Sequence, residues 1–233
     1  MLTGTEGRAR GLSCGIAIAA LASLLSVAPP ALSSPAVSRD AESVAGWVRT
    51  TGDNRGTPFA IVDKKSAVVH IFSADGKRRA SSPILLGLAK GDHSVPGIGE
   101  RPMADIREDE RTTPAGRFVS EPGRNLSGED IVWVDYDAAV SMHQVRATNK
   151  AERRLERLAT PTAADNRISY GCINVPAAFY DTYVKPSFGT AKAVIYVLPE
   201  TRPASTLFET STALSQASQA PQVSQAAHAS RAR

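Results

Sequence analysis

The sequence is poor in cysteine and in aromatic residues, and neither sign of charge dominates it. Among 233 residues only two are cysteine, and Phe, Trp and Tyr together make up 6%. The formal net charge is +4, and no basic run is interleaved with aromatic residues that could stack on bases. Nucleic-acid binding is therefore not predicted, and no spacing of ligating residues indicates a metal site.

The N-terminal segment has the three-part pattern of an export signal. Two arginines precede an uncharged run at 11–28, and small residues suited to a signal peptidase follow at 31–33. The strongly apolar part, 16–25, is shorter than the roughly 20 residues of a spanning helix, which disfavours the alternative of a membrane anchor. We therefore predict a signal peptide over 1–33 and export to the periplasm or cell envelope.

Removal of that signal would leave the mature chain with a single thiol. Cys14 would be lost with the signal, so that only Cys172 remains. A lone cysteine in an exported chain cannot form an internal disulfide and is a candidate reactive group. The alternative is a buried structural cysteine, which behaves as a small apolar residue. The cysteine count alone favours neither interpretation.

The rest of the chain divides into three parts by composition. Residues 34–56 are small and polar, which predicts a linker. Residues 57–199 alternate strand-like runs with turns and are predicted to form the folded domain. Residues 200–233 are rich in Ser, Ala and Gln and lack apolar content, so this tail is predicted to be disordered.

Most of the periodic segments of the domain have strand-like patterns. The predicted strands cover residues 59–62, 67–72, 77–86, 116–119, 131–134 and 193–197. Polar residues join the first two runs, which indicates a hairpin. Helical patterning is scarce: it is found at 151–158, where Leu155 and Leu158 would share a face, and at 176–183, which begins at a proline. These features predict a mostly β sandwich or barrel with a few short helices.

The residue types that carry chemistry concentrate around the second cysteine. Gly171 directly precedes Cys172, so the backbone can turn tightly and bring its amide groups near the sulfur. Such amides could stabilise an oxyanion on a carbonyl under attack. A thiol with the ordinary pKa of about 8.5 is a poor nucleophile at neutral pH, so a base or a positive group must lie close to it.

Histidine is the candidate for that activating group. His143 lies in a strand-like run at 140–145, from which its side chain could project toward the thiol. By spacing alone His70, in an early strand, and His93, in a glycine-rich loop, are alternatives. Any of the three could instead be a structural or surface histidine.

Three ordered segments resemble the catalytic domain of the L,D-transpeptidases, also called the YkuD domain. A hairpin at 61–76 is similar to the first hairpin of that family, and 113–118 is similar to its Thr-Pro-x-Gly-x-Phe segment. The family signature of a histidine followed by Ser/Thr-x-Gly-Cys-apolar-Arg/Asn is matched at His143, Ser169, Gly171, Cys172, Ile173 and Asn174. The resemblance covers about residues 58–199.

The resemblance implies a β-rich enzyme that acts on peptidoglycan stem peptides. Members of the family attack a tetrapeptide stem with the cysteine, release D-alanine and form a thioester. An amine from another stem or from an envelope protein then resolves the thioester, whereas water would make the enzyme an L,D-carboxypeptidase. The resemblance also implies roles in cell-wall organisation and cell shape, inhibition by carbapenem-type β-lactams, no cofactor, no metal and a monomer.

The resemblance also assigns a role to each matched position. Cys172 would be the nucleophile and His143 the general base. The backbone amides assigned to an oxyanion hole are those of Tyr170, Gly171 and Cys172. Ser169 and Asn174 would support the loop or the substrate.

Two features depart from the family pattern. Tyr170 stands where many members have a second histidine, and a tyrosine cannot act as a base at neutral pH. Twenty-five residues separate His143 from Ser169, more than is usual, and this insert is basic. It is either a solvated helix with local ion pairs or a lid that attracts carboxylates. The charge-dense segment 99–111 is likewise either a solvated loop or a substrate-facing one.

Three classes of function follow from these observations. The first is a transpeptidase, the second a cell-wall amide hydrolase with the same nucleophile, and the third a non-catalytic wall-binding module. The presence of both Cys172 and His143 argues against the third class. The sequence does not separate the first two, because the choice depends on whether an amine or water reaches the thioester.

Overall fold

A computed structural model of the chain describes residues 1–4 and 35–208. The chain divides into two units, Met1–Ser33 and Ser34–Arg233, and the description below concerns the second. The predicted signal peptide lies outside the described residues beyond its first four positions, as does most of the predicted tail.

Ten strands form in the described part of the chain. They are β1 Phe59–Asp63, β2 Val68–Phe72, β3 Arg78–Pro83, β4 Leu86–Gly87, β5 Gly116–Arg124, β6 Asp130–Asp135, β7 Val140–Gln144, β8 Arg167–Ser169, β9 Ile173–Val175 and β10 Ala193–Val197. Eight make one sheet in the order β3-β2-β1-β10-β5-β6-β7-β9, and β4 pairs with β8 in a second. The prediction of a mostly β fold with a few short helices is confirmed.

Strands β1 and β10 are buried along their whole length. They pair in parallel with each other, while β2 and β5 flank them as antiparallel partners. Strands buried on both faces are near-continuous apolar runs, which is why neither alternates with polar residues. Ala60 and Val62 pack into one core cluster, whereas Phe59 and Ile61 pack into another. The sheet therefore separates two cores.

Strand β5 joins the two halves of the large sheet. Its first residues, 116–120, pair with β10, and its last residues, 121–124, pair with β6. This strand is longer than the predicted 116–119. It brings the half that contains β6, β7 and β9 next to the hairpin half.

The segment predicted as a linker contains a helix, α1 Arg39–Thr51, and for these residues the prediction is wrong. The Ser38 side chain caps the helix by accepting a hydrogen bond from the Ala41 N–H, and Gly52 ends it in the left-handed region. The buried positions follow helical spacing: they are Ala41, Val44, Ala45 and Val48. They pack into the core on the Phe59 side of the sheet. A polar average composition concealed this narrow apolar stripe.

The beginning of the predicted tail is also packed. Ala204 and Leu207 are buried in the same core cluster as α1. The Glu200 side chain is only 6% exposed and forms ion pairs with two basic residues. The prediction of disorder is therefore wrong for residues 200–208, and residues 209–233 lie outside the described part of the chain.

The helix predicted at 176–183 is present and longer than expected. Pro176 precedes α3 Ala177–Phe179, which continues through a π-helical turn, Tyr180–Val184, into α4 Lys185–Phe188. Pro186 has no N–H to donate, and a widened turn before it accommodates the lost bond. Tyr180, Val184 and Phe188 pack into the core cluster that contains Ala60 and Val62.

The helix predicted at 151–158 is split into two short pieces. A 3-10 turn, Lys150–Glu152, is followed by α2 Arg154–Ala159, with Arg153 between them at a φ of 50°. Leu158 is buried but Leu155 is 59% exposed, so only one of these two leucines is packed against the domain. Across the described residues, no helix is long and apolar enough to cross a membrane.

Candidate active site

Strand pairing brings the histidine and the cysteine together. Strands β7 and β9 run parallel, with His143 opposite Asn174, and Cys172 directly precedes β9. Along β7, Met142 points into the core, so Ser141 and His143 share the opposite face. The Ser141 hydroxyl lies 3.7 Å from the Cys172 sulfur. Ser141, His143 and Cys172 therefore line one site.

The two side chains shift each other's pKa. Burial alone would raise the pKa of the Cys172 thiol, but the hydrogen bond and positive charge of His143 lower it below its ordinary value. Burial alone would lower the pKa of His143, but the hydrogen bond and negative charge of Cys172 raise it. Both shifts favour a thiolate beside an imidazolium, which is the reactive form of such a pair.

A backbone carbonyl orients the imidazole ring. The His143 Nδ1 lies 2.8 Å from the carbonyl oxygen of Gln144. Because a carbonyl can only accept, Nδ1 must carry the proton, and Nε2 is left to exchange a proton with the thiol. Gln144 is itself tied down, since its amide donates to Asp181 at 2.8 Å.

The loop before Cys172 is held by two hydroxyl groups. The Ser169 hydroxyl donates to the Cys172 carbonyl at 2.7 Å and accepts the Gly171 N–H at 3.1 Å. The Thr113 hydroxyl donates to the Gly171 carbonyl at 2.8 Å. Gly171 has a φ of 132°, and a Cβ there would lie 2.7 Å from the Thr112 carbonyl oxygen. Only glycine fits this position without strain.

The contact with Ser169 corrects one part of the predicted oxyanion hole. The Gly171 N–H is already used within the loop, so it does not point at a substrate. Among the described residues, the N–H groups of Tyr170 and Cys172 donate to no protein acceptor. These two amides remain the candidates for oxyanion binding.

Asn174 supports the same loop from its other side. Its side-chain amide donates to the Cys172 carbonyl at 3.2 Å, and its side-chain oxygen accepts from Arg154 at 2.6 Å. Arg154 belongs to the insert between His143 and Ser169 and also pairs with Glu152. The sequence did not indicate that any residue of the insert contacts the catalytic loop.

One part of the insert is exposed to solvent, and another part lines the cleft. Arg153 and Glu156 form an exposed local ion pair, as expected of a solvated helix. Arg154, by contrast, is only 14% exposed and faces the site. It lines a cleft of about 430 Å³ together with Ser141, His143, Arg146, Ser169, Tyr170, Cys172 and Asn174.

The charge-dense segment 99–111 contacts the site through two residues, Arg111 and Met103. The Arg111 guanidinium stacks over the Tyr170 ring at 4.0 Å from its centroid, a cation–π contact. Elsewhere in the segment Glu110 is buried and pairs with Arg101 and Arg107, so part of this loop is structural. Met103 lines the cleft.

The other two candidate histidines lie away from this cleft. His70 is buried on β2, where its Nδ1 lies 2.7 Å from the Ser81 hydroxyl, and burial lowers its pKa to about 4. His93 lies near Arg202, and neither histidine lines the cleft. Within the described residues, no group of three or more His, Cys, Asp or Glu side chains could hold a metal ion.

The fold and the site together define a mostly β domain with a cysteine–histidine pair in an open cleft. No family model matches the chain, and no curated protein matches its sequence. Its structure is similar to solved structures of the helical cell shape determining protein Pgp2 from Campylobacter jejuni and of an L,D-transpeptidase from Mycobacterium smegmatis. A third similar structure is the LD transpeptidase LdtMt1 in complex with imipenem.

These similarities are distant. Pgp2 is 13% identical with a TM-score of 0.42 over 63% of this chain, and the Mycobacterium smegmatis enzyme is 19% identical with a TM-score of 0.34 over 60%. LdtMt1 is 15% identical with a TM-score of 0.35 over 61% of this chain. The chain spans 49%, 58% and 59% of the length of these three structures, in that order. We therefore base the proposed function on the residues of this chain.

Proposed function

We propose that this protein is an exported L,D-transpeptidase that joins peptidoglycan stem peptides through a thioester on Cys172. The observation that carries the proposal is that neighbouring parallel strands bring His143 and Cys172 into one cleft. The pKa of each side chain is shifted toward its charged form, which agrees with this role. The ordered motif matches supply the substrate class. The open cleft, with Arg146 and Arg154 in its wall, suits a peptide that carries carboxylates.

The reaction then proceeds in two steps, acylation of Cys172 and transfer of the acyl group to an acceptor amine. The Cys172 thiolate attacks a stem carbonyl, a C–S bond forms, and the Tyr170 and Cys172 amides stabilise the oxyanion. The C–N bond breaks, and the imidazolium of His143 gives its proton to the departing D-alanine amine. In the second half His143 takes a proton from the acceptor amine, which attacks the thioester. A new C–N bond forms, the C–S bond breaks, and the thiolate returns.

Mass spectrometry of purified stem peptides incubated with the protein tests this proposal. We expect cross-linked dimers, together with a thioester adduct of the stem on Cys172 in the intact protein. Cys172→Ala should abolish both products, while Cys14→Ala, a substitution within the predicted signal peptide, should leave them unchanged. Imipenem should likewise add its mass to the wild type and not to Cys172→Ala.

Other products would identify the alternatives. Stems shortened to tripeptides without dimers would indicate an L,D-carboxypeptidase, in which water resolves the same thioester. Stems that bind unchanged, with no adduct, would overturn the enzymatic proposal in favour of a wall-binding module. An envelope protein bearing a free amine, added to the same reaction, tests whether a protein can also be the acyl acceptor.

A further inference from the structure

Four buried charged side chains lie beneath the catalytic loop and have no part in the mechanism above. The Lys64 ammonium lies 2.9 Å from the Asp92 carboxylate and 3.6 Å from Glu200, and Arg167 pairs with Glu200 at 2.6 Å. All four side chains are at most 7% exposed. The cluster contains two positive and two negative side chains, so its formal net charge is zero. Such a cluster is costly to bury, and a role in geometry would explain its presence.

The cluster reaches the Thr-Pro segment through Lys64. Its ammonium donates to the Thr113 carbonyl at 2.9 Å and also to the Gly91 carbonyl. With Asp92 this makes three acceptors for three N–H groups, so the lysine is saturated. The backbone of Thr113 is therefore anchored from below.

The Thr113 hydroxyl connects this anchored backbone to the catalytic loop. It accepts from the Gly87 N–H at 2.9 Å and donates to the Gly171 carbonyl at 2.8 Å. Thr113 is 1% exposed, so water cannot replace either bond. The groups that it contacts belong to two glycines. A Cβ on Gly87 would lie 2.3 Å from the Arg111 carbonyl oxygen, and a Cβ on Gly171 would lie 2.7 Å from the Thr112 carbonyl oxygen.

The planarity of the peptide unit gives these contacts a catalytic consequence. The Gly171 carbonyl and the Cys172 N–H belong to one trans peptide and point in opposite directions. A carbonyl held inward by Thr113 therefore aims the Cys172 N–H outward, toward the cleft. In the same way the Ser169 carbonyl accepts from the Leu88 N–H at 2.9 Å, which aims the Tyr170 N–H outward.

We propose that Thr113, anchored by Lys64, is a positioning residue that orients the Cys172 N–H to bind the oxyanion. The inference rests on the proposed function in taking Cys172 as the nucleophile. It deepens that function by separating two properties of the site: the thiolate is formed by His143, whereas the oxyanion donor is set by Thr113. A substitution at Thr113 should therefore slow acyl transfer without changing the reactivity of the thiolate.

Two reagents separate these properties in the full chain. Iodoacetamide alkylates the thiolate by displacing iodide, and no oxyanion forms. Acylation by p-nitrophenyl acetate passes through a tetrahedral oxyanion and needs no stem peptide. The quantity to compare is the ratio of the acylation rate to the alkylation rate at Cys172.

In Thr113→Val that ratio should fall by about tenfold or more, since losing one oxyanion donor costs about a hundredfold to a thousandfold. Thr113→Ser, which keeps the hydroxyl, should restore the ratio. Lys64→Met should lower it less. Thr112→Val is the matched control, because that hydroxyl donates to the His93 carbonyl instead, and Lys65→Met is the exposed control for the lysine.

If Thr113→Val does not fold, Thr113→Ala is the second variant, because it leaves room for a water to meet the two orphaned groups. An unchanged ratio in folded Thr113→Val or Thr113→Ala would overturn the inference, as would an equal loss of acylation and alkylation. If the ratio falls in Thr113→Val but the wild type does not process stem peptides, the positioning role is supported and the proposed function is overturned.

Discussion

Cys172 and His143 shift each other's pKa toward the charged forms. Burial alone would raise the thiol pKa and lower the imidazole pKa, so two isolated groups in this place would both be neutral. Their contact reverses both effects, so that the thiol pKa is lowered and the imidazole pKa is raised. In the proposed reaction the charged forms would supply a thiolate that attacks and an imidazolium that protonates the leaving amine.

Replacing His143 by alanine should raise the pKa of Cys172, because the effect of burial remains and the stabilising charge is lost. The rate of iodoacetamide alkylation rises with pH as the thiolate forms. Its midpoint should lie at a lower pH in the wild type than in His143→Ala, because His143 lowers the pKa of the thiol. Stem-peptide turnover should fall by about two to four orders of magnitude.

The control for this experiment is His93→Ala, since His93 does not line the cleft. Its alkylation profile should coincide with that of the wild type. Identical midpoints in wild type and His143→Ala would show that another group activates the thiol. A loss of turnover in His93→Ala alone would mean that His93, and not His143, activates the thiol.

At the scale of elements, the crossover from β7 to β9 does more than connect two parallel strands. It contains the insert with α2, and Arg154 in that insert bonds to the Asn174 side chain on β9. Asn174 in turn holds the Cys172 carbonyl. The insert is thus joined to the catalytic loop through a charge-assisted hydrogen bond, which is stronger than a neutral one.

Arg154→Ala should therefore lower the rate of acyl transfer by about tenfold, because a hydrogen bond from a charged group contributes about 1.5–3 kcal/mol. The matched control is Arg153→Ala, which removes an exposed pair with Glu156 and should change the rate less than about twofold. Steady-state turnover of the stem peptide by the two variants makes the comparison. Equal rates in both variants would assign the insert to the surface alone.

At the scale of the whole molecule, the buried charge cluster ties distant parts of the chain together. It joins residues that follow β1, precede β5, lie on β8 and follow β10. Asp92 is central to it, since it also accepts from the backbone N–H groups of Glu200 and Thr201. The end of the folded domain is thereby attached to the base of the catalytic loop.

We expect this cluster to make the free energy of unfolding depend on pH in the acid range. Burial would raise the pKa of Asp92, but hydrogen bonds from Thr201, Glu200 and Lys64 lower it well below its ordinary value of 3.8. A carboxyl whose pKa is lower in the folded state stabilises the fold above the unfolded pKa and loses that contribution as pH falls. The free energy of unfolding should therefore decline as pH drops below about 4.

Urea unfolding of the wild type and of Asp92→Asn checks this. The variant should be less stable at neutral pH by about 3 kcal/mol, because it leaves buried cations without their partner, and its stability should vary less in acid. Asp40→Asn, in an exposed pair with Lys65, should follow the wild type at all pH values. Equal acid dependence in wild type and Asp92→Asn would exclude this origin.

Much of the sheet could be predicted because its strands are local patterns. The hairpin of β1 and β2 is a pair of apolar runs around a polar turn, and the pairing follows from that alone. Helix α1 escaped prediction because only four of its thirteen residues are buried, so a polar composition hid the spacing. Strands β8 and β9 have three residues each, too few for a periodicity to be visible.

The sequence by itself determined the nucleophile candidate and its glycine-flanked loop, since these are properties of residue type and local order. The choice of His143 among three candidate histidines came from the resemblance to a family. Only the tertiary structure decided which amides are free, because the Gly171 N–H is taken by Ser169. It alone revealed Thr113 and Arg154, whose partners Gly171 and Asn174 lie 58 and 20 positions away. No local pattern encodes such contacts, because they exist only once parallel strands and a crossover have brought separate segments into register.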